Sequence, residues 1–151
     1  MKANPRLTSL LAVQKQRVDR ALAAVHERNA MLRQRESERQ AALERWEGAV
    51  VAYRLERERL TDSIANPGTG IQAARLTGAS LRCDLHRDWV TAAAKALSDS
   101  DELLAAASAA AMQARSVYRR TLARQDALLT LQASWLKAQG QRVLRLEEQE
   151  A

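Results

Sequence analysis

One cluster of turn-forming residues, Asn66-Pro67-Gly68-Thr69-Gly70, divides the chain into two long stretches that contain no proline. From Arg6 to Ile64 only Gly48 interrupts, and from Gln72 to Glu147 only Gly78 and Gly140 do. Both stretches are dominated by Ala, Leu, Arg, Glu and Gln, which lose little rotamer freedom in a helix. Asn4-Pro5 suits a helix start, with Asn as cap and Pro where no N–H is needed. Pro67 biases Asn66 away from the helical region. The sequence therefore predicts an all-α chain, a single long antiparallel two-helix coiled-coil hairpin over residues 1–151. Its first helix covers about 5–64, the turn 65–71 and the second helix about 72–147, with its start frayed before Leu81.

The register is specific. One position in seven recurs through the first helix as Leu11, Val18, Val25, Leu32, Arg39, Trp46, Tyr53 and Leu60, with Arg39 the one polar member. A second series four residues on, Leu22, Asn29, Glu36, Leu43, Val50, Arg57 and Ile64, gives the 4-3 alternation of a coiled coil with a polar middle. The second helix carries Leu76, Cys83, Val90, Leu97, Leu104, Ala111, Tyr118 and Gln125, beside a stripe of Ala93, Ala107, Ala114 and Leu122. An antiparallel fold about the turn brings residue i near residue 136 − i, so Leu60 faces Leu76, Tyr53 faces Cys83, Trp46 faces Val90 and Val18 faces Tyr118. Large residues often meet small ones, as knobs-into-holes packing requires. At about 1.5 Å per residue the helices would run to roughly 90 and 110 Å. Trp135, Leu136, Val143, Leu144 and Leu146 would then project past their partner helix, either as a frayed tail or as a docking segment.

Composition fits a thin two-helix interface better than a globular core: 46% of residues are hydrophobic but only 3% aromatic, and Phe is absent. Charge is distributed unevenly within a net +6. Residues 1–33 carry seven basic and two acidic side chains and residues 113–146 seven and one, whereas residues 34–112 carry ten and twelve. In the hairpin the first two segments lie side by side, so the end that holds the termini is basic and the rest nearly neutral. Glu36, Glu38, Glu44 and Glu47, interleaved with Arg33, Arg35, Arg39 and Arg45, read as surface ion pairs.

No catalytic constellation emerges. His26 and His86 fall far apart along the predicted hairpin, Gly68-Thr69-Gly70 follows no strand, and the lone Cys83 sits in the predicted interface as a small apolar residue. The reading is a non-enzyme with no cofactor and no metal. One cysteine, no secretory leader and no apolar run of about 20 residues point to a cytoplasmic chain that does not insert into membranes.

The Leu7-x-x-Leu10-Leu11 start, the Arg- and Ala-rich heptads, the short irregular stretch from Gly70-Ile71 to Arg82 and the longer second helix with a charged C-terminus resemble the FliJ/YscO family of type III secretion stalk proteins. The resemblance covers nearly the whole chain and implies a non-catalytic central stalk at the cytosolic face of the inner-membrane export apparatus. It implies that the end holding the termini sits in the pore of the hexameric secretion ATPase; Arg6, Arg17, Arg20, Arg115, Arg119, Arg120 and Arg124 are the candidate contacts. The end near the turn would similarly meet the cytosolic ring of the export gate, with Trp46, Ala49, Tyr53, Leu81, Leu85 and Trp89 as candidates. Escort of export chaperones is a further role in the family, for which Trp135, Leu136, Val143 and Leu144 are the candidate dock.

Two other readings stay open. A basic coiled coil that binds nucleic acid through phosphates would show binding that falls steeply with salt. Against it, no aromatic–basic interleaving marks a base-stacking platform, and no nucleic acid is expected. A subunit of a larger helical assembly, such as a dimeric four-helix bundle or a chaperone-like scaffold, would show a surplus apolar stripe opposite the hairpin seam.

Overall fold

The computed structural model describes residues 4–65 and 72–150, so the expected turn lies, but for Ala65, outside the described residues. Two helices account for the described chain, α1 (Pro5–Ala65) and α2 (Gln72–Glu150). The start of α1 follows from its sequence: the Asn4 side-chain oxygen accepts the Arg6 backbone N–H at 3.1 Å, and the Thr8 N–H closes the first turn on the Asn4 carbonyl at 2.9 Å. α2 is helical from Gln72, which corrects the expected fraying before Leu81. Gly78 costs its helix only about 1 kcal/mol, and the next residue, Ala79, is anchored by burial.

The helices contribute to two compact units. Unit 1 joins Met1–Ala30 with Ala109–Ala151, and unit 2 is Met31–Ser108. In unit 1 the buried side chains are Leu7, Gln14, Val18, Ala21 and Ala111; in unit 2 they are Ala42, Glu56, Ala79, Cys83 and Ala107. Within each unit the packing is antiparallel. In unit 1 the Gln14 Nε2 donates to the Thr121 carbonyl at 2.8 Å and an Arg115 guanidinium N–H to Asn29 Oδ1 at 2.9 Å. In unit 2 Arg39 Nε meets Asp101 at 2.6 Å and Arg82 Nε meets Glu56 at 3.5 Å. In both, partners on α2 descend as residues on α1 ascend. The fold is an all-α helical hairpin.

Burial follows the expected heptads closely. Every member from Leu11 to Leu60 on α1, and from Leu76 to Gln125 on α2, is buried or half-buried. The companion series on α1 is the correction. It lies three residues after the first series rather than four at Gln14, Ala21, Arg35, Ala42, Ala49 and Glu56, while Glu36, Arg57 and Ile64 of the expected series are exposed; at Asn29 the expected series holds, half-buried where Arg28 is exposed. The seam uses small and polar side chains there, and the apolar Leu22, Leu43 and Val50 lie half-buried beside it. On α2 both series run unbroken at 4-3 spacing from Leu76 to Gln139.

The cross-helix bonds refine the pairing. Gln14 meets Thr121, one residue from its expected partner, but Glu56 and Arg39 reach two and four residues beyond theirs. Ala111 is the most buried residue, at 1% exposure, and no large side chain is fully buried among the described residues. Such a seam gains stability from many small contributions, about 0.8 kcal/mol for each buried methylene.

Candidate functional site

Unit 1 carries thirteen basic and six acidic side chains, a net charge of +7; unit 2 carries eleven and twelve, a net charge of −1. The pairing of these charges differs as much as their number. All six ion pairs among the described residues lie in unit 2: Arg35–Glu38, Arg39–Asp101, Arg59–Glu56, Arg82–Glu56, Arg87–Asp84 and Lys95–Asp99. Of the expected Arg–Glu ladder in residues 33–47, only Arg35–Glu38 forms. Arg39 reaches across to α2 instead, and Glu44 accepts from Gln40. The Arg35 guanidinium, with help from Gln34, holds the Glu38 carboxyl below the usual carboxylate range.

Unit 1 brings together all seven arginines expected at the ATPase ring, Arg6, Arg17, Arg20, Arg115, Arg119, Arg120 and Arg124, and each is exposed. Arg115 is tethered to Asn29; no carboxylate pairs with the others among the described residues. Unpaired guanidinium groups held along two packed helices form a cationic surface able to grip carboxylates or phosphates in bidentate fashion. Between the helices of this unit runs an open groove with Leu10, Val13, Leu128 and Leu131 in its lining and Arg17 and Arg124 among them, a feature the sequence reading missed. It depends on residues from both helices, so no single-helix period displays it.

The six residues expected at the export gate all fall in unit 2 but on different faces. Trp46, Ala49 and Tyr53 are half-buried on the seam, and the Arg57 guanidinium lies 5.9 Å from the centroid of the Tyr53 ring. Leu81, Leu85 and Trp89 stand exposed on α2, Trp89 edge-on to the His86 ring at 4.6 Å. Two buried seam atoms of this unit, Glu56 Oε2 and His86 Nδ1, have no hydrogen-bond partner. Of the expected docking stripe, Trp135 and Leu136 are half-buried while Val143 and Leu144 are exposed.

No group of three or more His, Cys, Asp or Glu side chains gathers among the described residues, and none of their helices is long and apolar enough to cross a membrane. Cys83 is a free buried thiol on the seam.

No family model and no curated protein matches the sequence. A solved structure does: CT670 of Chlamydia trachomatis, a proposed YscO homolog, superposes with a TM-score of 0.85 over 99% of this chain and 90% of its own, at 18% identity. The chain therefore shares the fold of that protein over nearly its whole length.

Proposed function

We propose that the chain is a non-catalytic central stalk of a bacterial type III secretion system, acting in the cytosol at the inner-membrane export apparatus. Unit 1 engages the pore of the hexameric secretion ATPase, and unit 2 meets the cytosolic ring of the export gate. The observation that carries this reading is the division of charge on a YscO-like fold: +7 without an ion pair in unit 1 against −1 and six pairs in unit 2, among the described residues. A surface of unpaired arginines attracts a pore that presents carboxylates, and its affinity and on-rate are set by long-range attraction rather than by a fitted apolar core.

The coupling is mechanical. Binding of unit 1 biases the ring toward assembly or hydrolysis, and unit 2 passes that state to the gate through the exposed Leu81, Leu85 and Trp89. Chaperone escort would use the exposed Val143 and Leu144 with Trp135 and Leu136 beside them. The test is a pull-down against a hexameric secretion ATPase with Arg17, Arg20, Arg119 and Arg124 all changed to Glu. The expected result is loss of binding and of ATPase stimulation; full retention of both would refute pore engagement. For the gate, Leu81→Ser, Leu85→Ser and Trp89→Ser together are expected to lose the gate ring while retaining the ATPase.

A further inference from the structure

Unit 1 has a second groove, and it repeats the first. Leu10 and Gln14 in the lining of the first correspond, fourteen residues on, to Ala24 and Arg28 of the second. On α2, Arg124, Leu128 and Leu131 correspond, fourteen residues back, to Ala110, Ala114 and Val117. A shift of two heptads along both helices reproduces the same side of the seam, so the two grooves are stations on one flank. This flank carries apolar side chains beside the seam, where a further helix could pack. Its large members stay uncovered: Leu10 is 54% exposed and Leu131 56%.

Chemistry selects the occupant. No carboxylate lines either groove, while Arg17, Arg28 and Arg124 do. A second copy applied by the same flank would set these arginines against their own counterparts. An occupant with acidic side chains satisfies them, and one with apolar residues at 4-3 spacing covers Leu10, Val13, Val117 and Leu131. The span from Leu10 to Arg28 is about 27 Å, or five helical turns. The small Ala21, Ala24, Ala110 and Ala114 let a helix backbone approach closely. We propose that this flank of unit 1 docks an acidic amphipathic helix of a partner protein, about 20 residues long, as a third helix on the two-helix seam. The proposal goes beyond stalk function and does not depend on it, because it concerns the flank lined by Arg17 and Arg124 whatever else unit 1 binds.

The test uses the full chain and a fluorescent 20-residue helical peptide with Leu at 4-3 spacing and Glu beside it, against the same peptide with Lys for Glu. Anisotropy is expected to show binding of the Glu peptide at least tenfold tighter than the Lys peptide. Leu10→Gln with Leu131→Gln is expected to weaken it at least tenfold at unchanged helical circular dichroism, and Arg17→Glu with Arg124→Glu to reverse the peptide preference. Arg115 and Arg119 line neither groove, and their reversal is expected to weaken binding of the Glu peptide less than the reversal of Arg17 and Arg124 does. Equal binding of both peptides, or an equal loss from the Arg115 and Arg119 reversal, would overturn the groove as the site. Light scattering that shows a dimer broken by Leu10→Gln and Leu131→Gln would give the flank to a second copy and overturn the proposal too.

Discussion

Units 1 and 2 are built on the same 4-3 seam and use charge in opposite ways. Unit 2 ties its charges to one another, two pairs bridging the helices and four lying within one helix. Unit 1 leaves its arginines unpaired among the described residues and accepts the self-repulsion of a +7 surface. The seams compensate. Unit 1 buries Leu7 and Val18 and satisfies its one buried polar side chain, Gln14, with a 2.8 Å bond across the seam. Unit 2 buries nothing larger and apolar than Cys83 and includes a carboxylate. The unit whose charge is free for a partner thus has the more apolar seam, and the unit with the weaker seam keeps its charges for itself.

Substitutions in the two units would break or sharpen that contrast. The largest expected effect falls on both seams alike: Ala111→Leu in unit 1 and Ala42→Leu in unit 2 each force a branched side chain into a closed layer. Each is expected to cost about 1–3 kcal/mol in urea unfolding; a cost in only one unit would mean that only one seam is closely packed. Next, Glu56→Leu deletes two ion pairs yet is expected to raise stability by about 1 kcal/mol or more, since it removes a buried carboxylate one of whose oxygens makes no hydrogen bond and meets Arg82 only at 3.5 Å. Gln14→Leu, which gives up a satisfied hydrogen bond, is expected to be near neutral by the same measurement.

A gain smaller than that of Glu56→Leu is expected from Gly48→Ala. A Cβ there meets nothing within 4 Å, so the gain is that of helix propensity, about 0.5–1 kcal/mol, read as a higher melting temperature. Of similar or lesser size is the coupling of Arg39 to Asp101. Both side chains are more than a third exposed, and a double-mutant cycle is expected to give about 0.2–1 kcal/mol that fades in high salt. The Glu38 carboxyl should titrate by NMR below the usual range. Its pair with Arg35 therefore supports the fold at neutral pH and is lost as pH falls through that lowered midpoint.

Much of the fold is legible in the sequence because period and punctuation agree. Pro5 and the Asn66–Gly70 cluster mark where helices begin and stop, and Leu11 to Leu60 repeat every seven residues without a slip. The companion series is not legible, for a physical reason. Its true members include Gln14, Arg35 and Glu56, which fill the seam with their methylene stems, while Leu22, Leu43 and Val50 advertise apolarity from the flank. The cationic surface could be read by counting charges along a hairpin. Its freedom from ion pairs could not, because Arg39 and Arg82 find their partners on the other helix. The docking flank was hidden for the same reason: Leu10 and Leu131 are 121 positions apart in sequence and line one groove.

The proposed stalk role requires unit 1, rather than charge in general, to engage the secretion ATPase. Its most direct test compares two variants of equal charge change in stimulation of ATP hydrolysis by the hexameric ring. One carries Arg17→Glu, Arg20→Glu, Arg119→Glu and Arg124→Glu in unit 1; the other carries Arg33→Glu, Arg45→Glu, Arg54→Glu and Arg75→Glu in unit 2. The proposed role predicts that the first abolishes stimulation and the second leaves it at the level of the unaltered chain. Equal stimulation by the two variants would contradict it.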